Sequence, residues 1–257
     1  MFPLKLLAVG AWFALLAMGE RMAPAAKRPQ GSDGGRLTRN LGLWAANTAM
    51  NPFITVPIAA AAAALPLWTR PDMAGWAAFA LDLLLLDLWT YCWHRANHEW
   101  RPLWRFHRVH HLDEFLDTTS AVRFHPGEVL ISALARTPLI VAGDVSLGSI
   151  LLFDTLVLIG TLFHHSNLRL PARFERALRL VIVTPSHHWV HHHAVRADTN
   201  SNYGTLLTLW DRLFGSWSKT QRLPDMRIGV EGEEDAPLPT LAAAPFKARP
   251  HQIQDQG

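Results

Sequence analysis

Thirteen of the chain's 14 histidines fall between His94 and His193, each at or beyond the end of an apolar segment. Their spacing is ordered. HRANH places His94 and His98 four residues apart, so on a helix the two rings share one face, one turn apart. HRVHH places His107, His110 and His111 at i, i+3 and i+4, and HWVHH repeats that spacing at His188, His191 and His192. Between them stand His125 in RFHPGE and the pair His164 and His165 in FHHSN. One pair at helical spacing arises easily by chance. Two copies of a single spacing plus a third group predict a metal site built from imidazole. His251, isolated near the C-terminus, reads as an ordinary surface residue.

The rest of the sequence limits the metal chemistry. A single cysteine, Cys92, excludes a disulfide framework, a four-cysteine zinc site and an iron–sulfur cluster held by this chain alone. The zinc-peptidase motif HExxH is absent, because His98-Glu99 is followed by Pro102 where the second histidine should stand. No Glu-x-x-His occurs, which excludes the carboxylate-rich di-iron bundle. The spaced histidines outnumber the three or four ligands of one zinc, so two metals are the economical reading. Imidazole suits iron, zinc, copper and nickel alike, and ligand type leaves the identity open. A net charge of +3 gives no reason to expect a nucleic-acid partner.

Hydrophobic residues make up 49% of the chain and charged residues 18%, unlike a disordered polyelectrolyte. The apolar residues are concentrated. Leu4 to Met18 reads as a retained first span, with a signal peptide cleaved near Met22–Ala26 as the alternative. Leu41 to Trp68 has no charge but contains Pro52, Pro57 and Pro66, so it is one kinked span or a broken one. Met73 to Trp93 carries Asp82 and Asp87, and acids at that depth face a protein interior or a polar partner. Val129–Val141 and Val145–Phe163 flank Gly143-Asp144 as a dipping hairpin or two crossings. The expected fold is all-α: a polytopic membrane protein.

Basic residues cluster at Arg21, Lys27, Arg28, Arg36 and Arg39, and again at Arg95, Arg101, Arg105, Arg108 and Arg123. The turn between Trp68 and Met73 has only Arg70, balanced by Asp72. The positive-inside rule then puts both basic regions, and a histidine-rich helical cap, on the cytoplasmic side. Arg101, Arg105 and Arg108 are available to grip anionic headgroups or the acidic face of a reductase. From Ser166 onward no segment is long and apolar enough to span. The expected division is 1–80 as membrane-embedding helices, 81–217 as a histidine-box domain and 218–257 as a loosely ordered tail.

The boxes HRANH, HRVHH and HWVHH on a hydrophobic chain resemble the fatty acid hydroxylase superfamily, which includes sterol desaturases and sterol C4-methyl oxidases. Further features carry the resemblance. Asp87 and Tyr91 lead into His94-Arg95, Arg123-x-His125-Pro126 and His165-Ser166-Asn167 follow, and Thr184-Pro185 precedes the last box. Asn202-Tyr203-Gly204 and Trp210-Asp211-Arg212-Leu213-Phe214-Gly215 look like that family's signature end. The likeness runs from about Leu81 to Trp217.

It implies an integral membrane enzyme, in a bacterial inner membrane, with a di-iron centre. Such an enzyme hydroxylates or desaturates a lipid or sterol-like substrate with O2 and electrons from an external reductase, ferredoxin or cytochrome b5-like carrier. Carried over by position, the ligands are His94, His98, His107, His110, His111, His125, His165, His188, His191 and His192, with His165 preferred to His164 for its spacing to Asn167. Each ligand ring is oriented through its other nitrogen, which makes Asp87, Tyr91, Asn167, His187, Asn202 and Asp211 candidates to hold rings or close a polar network. The competing reading fills the same cage with two zinc ions, as a hydrolase or a lipid-binding module.

Overall fold

In the computed structural model, residues 2–29, 33–71, 73 and 75–247 are described; Asp72 and His251 lie outside them. The chain begins with α1 (Phe2–Met22) and α2 (Asp33–Met50). The long uncharged stretch is broken: α2 stops at Met50, and α3 (Thr55–Ala63) starts after Asn51-Pro52-Phe53-Ile54. Pro52 removes a backbone donor and disfavours helical geometry at Asn51, whereas Pro57 falls in the first turn of α3, where no donor is needed.

α4 (Gly75–Glu99) carries a long apolar run and the first histidine box in one continuous rod of 25 residues, about 37 Å long. α5 (Arg101–His111) carries the second box, and a 3-10 turn at Thr118–Val122 leads to the hairpin of α6 (Pro126–Gly143) and α7 (Leu147–His165). The hairpin reverses at Asp144, whose φ of 48° is left-handed. Five short helices follow: α8 (Ala172–Leu178), α9 (Pro185–His191), α10 (Arg196–Thr199), α11 (Leu209–Leu213) and α12 (Leu238–Ala243). Helices α5, α6 and α9 each take a proline in the first turn, which fixes where the helices carrying the second and third boxes, and the helix that His125 caps, begin. Among the described residues there are isolated bridges but no strand, and the fold is all-α.

α4 and α7 are long and apolar enough to cross a membrane. With α3 and α6 they enclose a core of Ala59, Ala62, Leu86, Ile140, Ile150 and Phe153. Asp82 is buried in that region and partnered, accepting from Arg70 Nη2 at 2.6 Å and Ser149 Oγ at 2.6 Å.

The histidine end is tied together by charge. Buried Arg36 donates to Asp113 at 3.1 Å and pairs with Asp117; Arg39 donates to Asp235 at 2.7 Å; Arg123, fully buried, also pairs with Asp235. Two further arginines and the C-terminal stretch join these contacts. Arg108 pairs with Glu233, and Arg105 donates to the carbonyl of Lys247, so both serve the fold. The C-terminal stretch through 247 is packed, because its acidic run supplies the counter-charges for Arg39 of α2, Arg108 of α5 and Arg123, which follows the 3-10 turn. Leu241 is fully buried against Leu43, Val109 and Leu112.

Candidate metal centre

Nine imidazoles converge in two groups. His94, His98, His107, His111 and His191 offer ring nitrogens that all lie within 4.8 Å of one another, and His110, His165, His188 and His192 form a second group by the same measure. Each HxxHH box serves both. On α5, His107 and His111 point to the first group and His110 to the second; around α9, His191 belongs to the first while His188 and His192 belong to the second. The i, i+4 pair shares a face and the remaining histidine is turned about 100° from its neighbour, which is how one helix feeds two adjacent sites. The groups touch through His111 and His192, stacked with centroids 4.2 Å apart.

Ring orientation is fixed from outside. His94 Nδ1 donates to the carbonyl of Tyr203 at 2.8 Å, and His191 Nδ1 to that of Ser201 at 2.7 Å. His110 Nδ1 donates to Arg123 O at 3.1 Å and His165 Nδ1 to Thr161 O at 2.8 Å. A carbonyl only accepts, so each of these rings carries its proton on Nδ1 and presents a bare Nε2. His107 is held by a carboxylate instead, Nδ1 to Glu128 Oε1 at 2.7 Å.

This arrangement fits a cation. His110 Nε2 lies 3.0 Å from His165 Nε2, which lies 3.0 Å from His188 Nε2. His110 and His165 both carry their proton on Nδ1, so two lone pairs face each other at that distance and repel unless something positive stands between them. In the first group His98 and His111 have both ring nitrogens buried without a partner, and so are the Nε2 atoms of His107 and His191. Leaving one such group unsatisfied costs about 1–3 kcal/mol, and so many at one place mark a ligand-binding centre. Burial, reinforced by neighbouring imidazoles, holds His110, His111, His188, His191 and His192 well below the ordinary histidine pKa, so they stay neutral and available as ligands.

His125 does not join either group. It caps α6: its Nδ1 accepts from Gly127 N–H at 2.9 Å and its Nε2 donates to Ala242 O at 3.0 Å, so neither nitrogen is left for a metal. His164 is buried beside the second group, 4.1 Å from His188 by ring centroid, with Nδ1 unpartnered. His193 pairs with Asp198 at 2.8 Å.

The residues expected to orient the ligands act one step further out. Asp211 accepts from Tyr203 N–H at 2.7 Å, Gly204 N–H at 2.9 Å, Ser216 Oγ at 2.7 Å and His187 Nε2 at 3.2 Å, which fixes the strip whose Tyr203 carbonyl holds His94. Asp87 accepts from Trp210 Nε1 at 2.8 Å and from two backbone N–H groups, and among the described residues pairs with no arginine. Tyr91 bonds Ser216, Asn202 donates to His187 O, and Asn167 bonds both ways to the backbone of Ala26. Sequence reasoning missed Glu128, the one carboxylate among the described residues that hydrogen-bonds a clustered imidazole. Its signal was its place in the first turn of a helix that starts at the quoted motif RFHPGE.

A groove of about 490 Å³ reaches both groups. His94, His107, His110, His165 and His188 stand at its inner end, and Trp89, Trp93, Val129, Val157 and Leu158 along its walls.

A helical scaffold with two apolar spans and a double nest of imidazoles at the end of an apolar groove defines a histidine-box metalloprotein. The chain belongs to the fatty acid hydroxylase family, whose model matches residues 79–216. It is 30% identical over 247 residues to the ornithine lipid hydroxylase OlsE of Rhizobium tropici, covering 92% of this chain and 73% of that protein. It is 31% identical over 143 residues to the alkylglycerol monooxygenase of Danio rerio and 29% over 151 residues to that of Homo sapiens. Those matches cover 56% and 59% of this chain but only 30% and 33% of the relatives. No solved structure matches the chain significantly.

Proposed function

We propose that the chain hydroxylates a lipid in the membrane, using O2 and electrons from a separate donor at two iron ions, one held by each histidine group. The observation that carries the reading is the facing pair of bare nitrogens, His110 Nε2 and His165 Nε2, at the inner end of an apolar groove. The hydroxylase and monooxygenase activities named for the relatives support oxidation of a lipid C–H bond.

His94, His98, His107, His111 and His191 would hold one ion and His110, His165, His188 and His192 the other. When bound, two irons supply reductive activation of O2 and oxidation of an unactivated carbon. One oxygen atom goes to the lipid and the other, with two electrons and two protons, to water; a reductase, ferredoxin or cytochrome b5-like carrier provides the electrons. The chain's own part is positional. Carbonyls of Tyr203, Ser201, Arg123 and Thr161 lock the ring tautomers, Glu128 strengthens His107 as a donor, and the tryptophan-lined groove excludes water while it lays a hydrocarbon against the histidines. α4 and α7 cross the bilayer and leave the histidine end at its cytoplasmic boundary.

Anaerobic purification in detergent with metal counting, followed by lipid analysis under isotopically labelled O2, tests the reading. About two irons per chain and labelled oxygen in a lipid are expected. Two zincs with no O2 uptake would overturn it.

A further inference from the structure

The groove does not end in hydrocarbon. On α6 its lining descends from Glu128 and Val129 through Ser132 and Ala133 to Arg136, and on α7 from His165 through Thr161 and Val157 to Asp154. Arg136 Nη1 donates to Asp154 Oδ1 at 2.6 Å and Nη2 to Oδ2 at 3.2 Å, a two-pronged pair. Asp154 is 11 residues before His165, which sets the pair about 16 Å along the helix from the histidines. It therefore stands near the middle of a segment long enough to cross the bilayer.

Charge at that depth is costly, and a clamp between two helices would be screened by both. Here the pair lines the groove, and the carboxylate side chain of Asp154 is 45% exposed. Asn51 and Thr55 from the break between α2 and α3 add further polar groups to the lining. Each charge already neutralises the other, so the pair has no surplus charge to bind an ion. It offers a carboxylate acceptor and guanidinium donors side by side, which suit a neutral group able to donate and accept, namely a hydroxyl.

We propose that Arg136 and Asp154 form a specificity site for a lipid bearing a hydroxyl within its hydrocarbon portion, about 16 Å from the carbon brought to the histidines. This rests on the groove being the substrate site of a lipid hydroxylase, and it narrows the substrate to a chain or ring system already oxygenated at a second position.

Binding is read without turnover, on the full chain as purified in detergent. A mid-chain dibrominated methyl stearate quenches the groove tryptophans, and competitors displace it. Methyl stearate, a derivative hydroxylated near its methyl end so that the rest of the chain can reach the histidines, and the corresponding carboxylate derivative are compared. From the wild type, the brominated ester should be displaced by the hydroxyl competitor at a concentration about tenfold lower than by methyl stearate, as one well-placed buried hydrogen bond allows. Arg136→Leu/Asp154→Leu should erase that preference. Asp154→Asn, which keeps the shape but leaves the guanidinium unneutralised, should turn the preference toward the carboxylate probe. Equal displacement by hydroxyl and plain esters in the wild type, or a preference that survives the double leucine variant, would overturn the proposal. Wild-type preference for the carboxylate would overturn it as well, by showing an anion site. A protein that oxidises no lipid would defeat the proposed activity while leaving this binding result standing. An active hydroxylase without the preference would defeat this inference alone.

Discussion

His110 and His165 face each other nitrogen to nitrogen at 3.0 Å across the junction of α5 and α7, each with its only ring proton committed to a carbonyl behind it. Neither can donate to the other, so the closeness makes sense only with a cation between them.

Removing either partner should therefore cost a metal. His110→Ala or His165→Ala is expected to lower bound metal from about two ions per chain to about one, since the second group has only four nitrogens to begin with. His125→Ala should keep both ions and lose about 0.5–2 kcal/mol of stability, the price of a helix cap. Metal counting beside thermal unfolding separates the two, and metal loss in the His125 variant would show that its ring swings into the centre.

Glu128→Gln should weaken metal binding about tenfold with little change in folding. The carboxylate backs His107 at 2.7 Å from a buried position, and an uncharged amide there withdraws donor strength from the ring. Chelator competition on wild type and variant checks it; identical affinities would reduce Glu128 to a packing residue.

Without metal, stability should depend steeply on acidity. His110, His111, His188, His191 and His192 all titrate below the ordinary value of 6.5 because they are buried among one another. The unfolded chain takes up those protons near pH 6.5 and the folded chain does not, so the folded state is at full strength above that pH and weakens as pH falls below it. Melting of metal-stripped protein between pH 8 and 5 should show this decline, and bound metal should blunt it. A flat profile would mean that the rings are solvated.

Asp235→Ala should destabilise the protein by about 3–5 kcal/mol, because it strips the counter-charge from a fully buried Arg123. Denaturation in detergent would measure it. A loss under 1 kcal/mol would mean that the C-terminal stretch is only lightly attached.

Much of this was legible along the chain. The i, i+3, i+4 spacing marked which residues would share a helix face, and Gly143-Asp144 between two apolar runs marked the hairpin. Pro52 left a choice between a kink and a break, and the structure takes the break. His125 stands in a family-like motif yet spends both nitrogens on a helix cap, and several of the arginines that carry the orientation signal also pair with acids inside the cap, which spacing along the chain does not reveal. Glu128 escaped because a lone carboxylate carries no periodicity.

The sequence by itself determined the helical elements, the membrane-compatible runs and the supply of imidazole, because each follows from spacing within one segment and from the cost of burying unpaired polar groups. The division of nine rings into a five and a four was decided only by the tertiary structure. So were the locking of His110 by the carbonyl of Arg123 and of His94 by that of Tyr203, 109 positions away, and the recruitment of the acidic tail as counter-charge. Those depend on which faces meet when α4, α5, α7 and α9 close together, and a local pattern holds no record of that geometry.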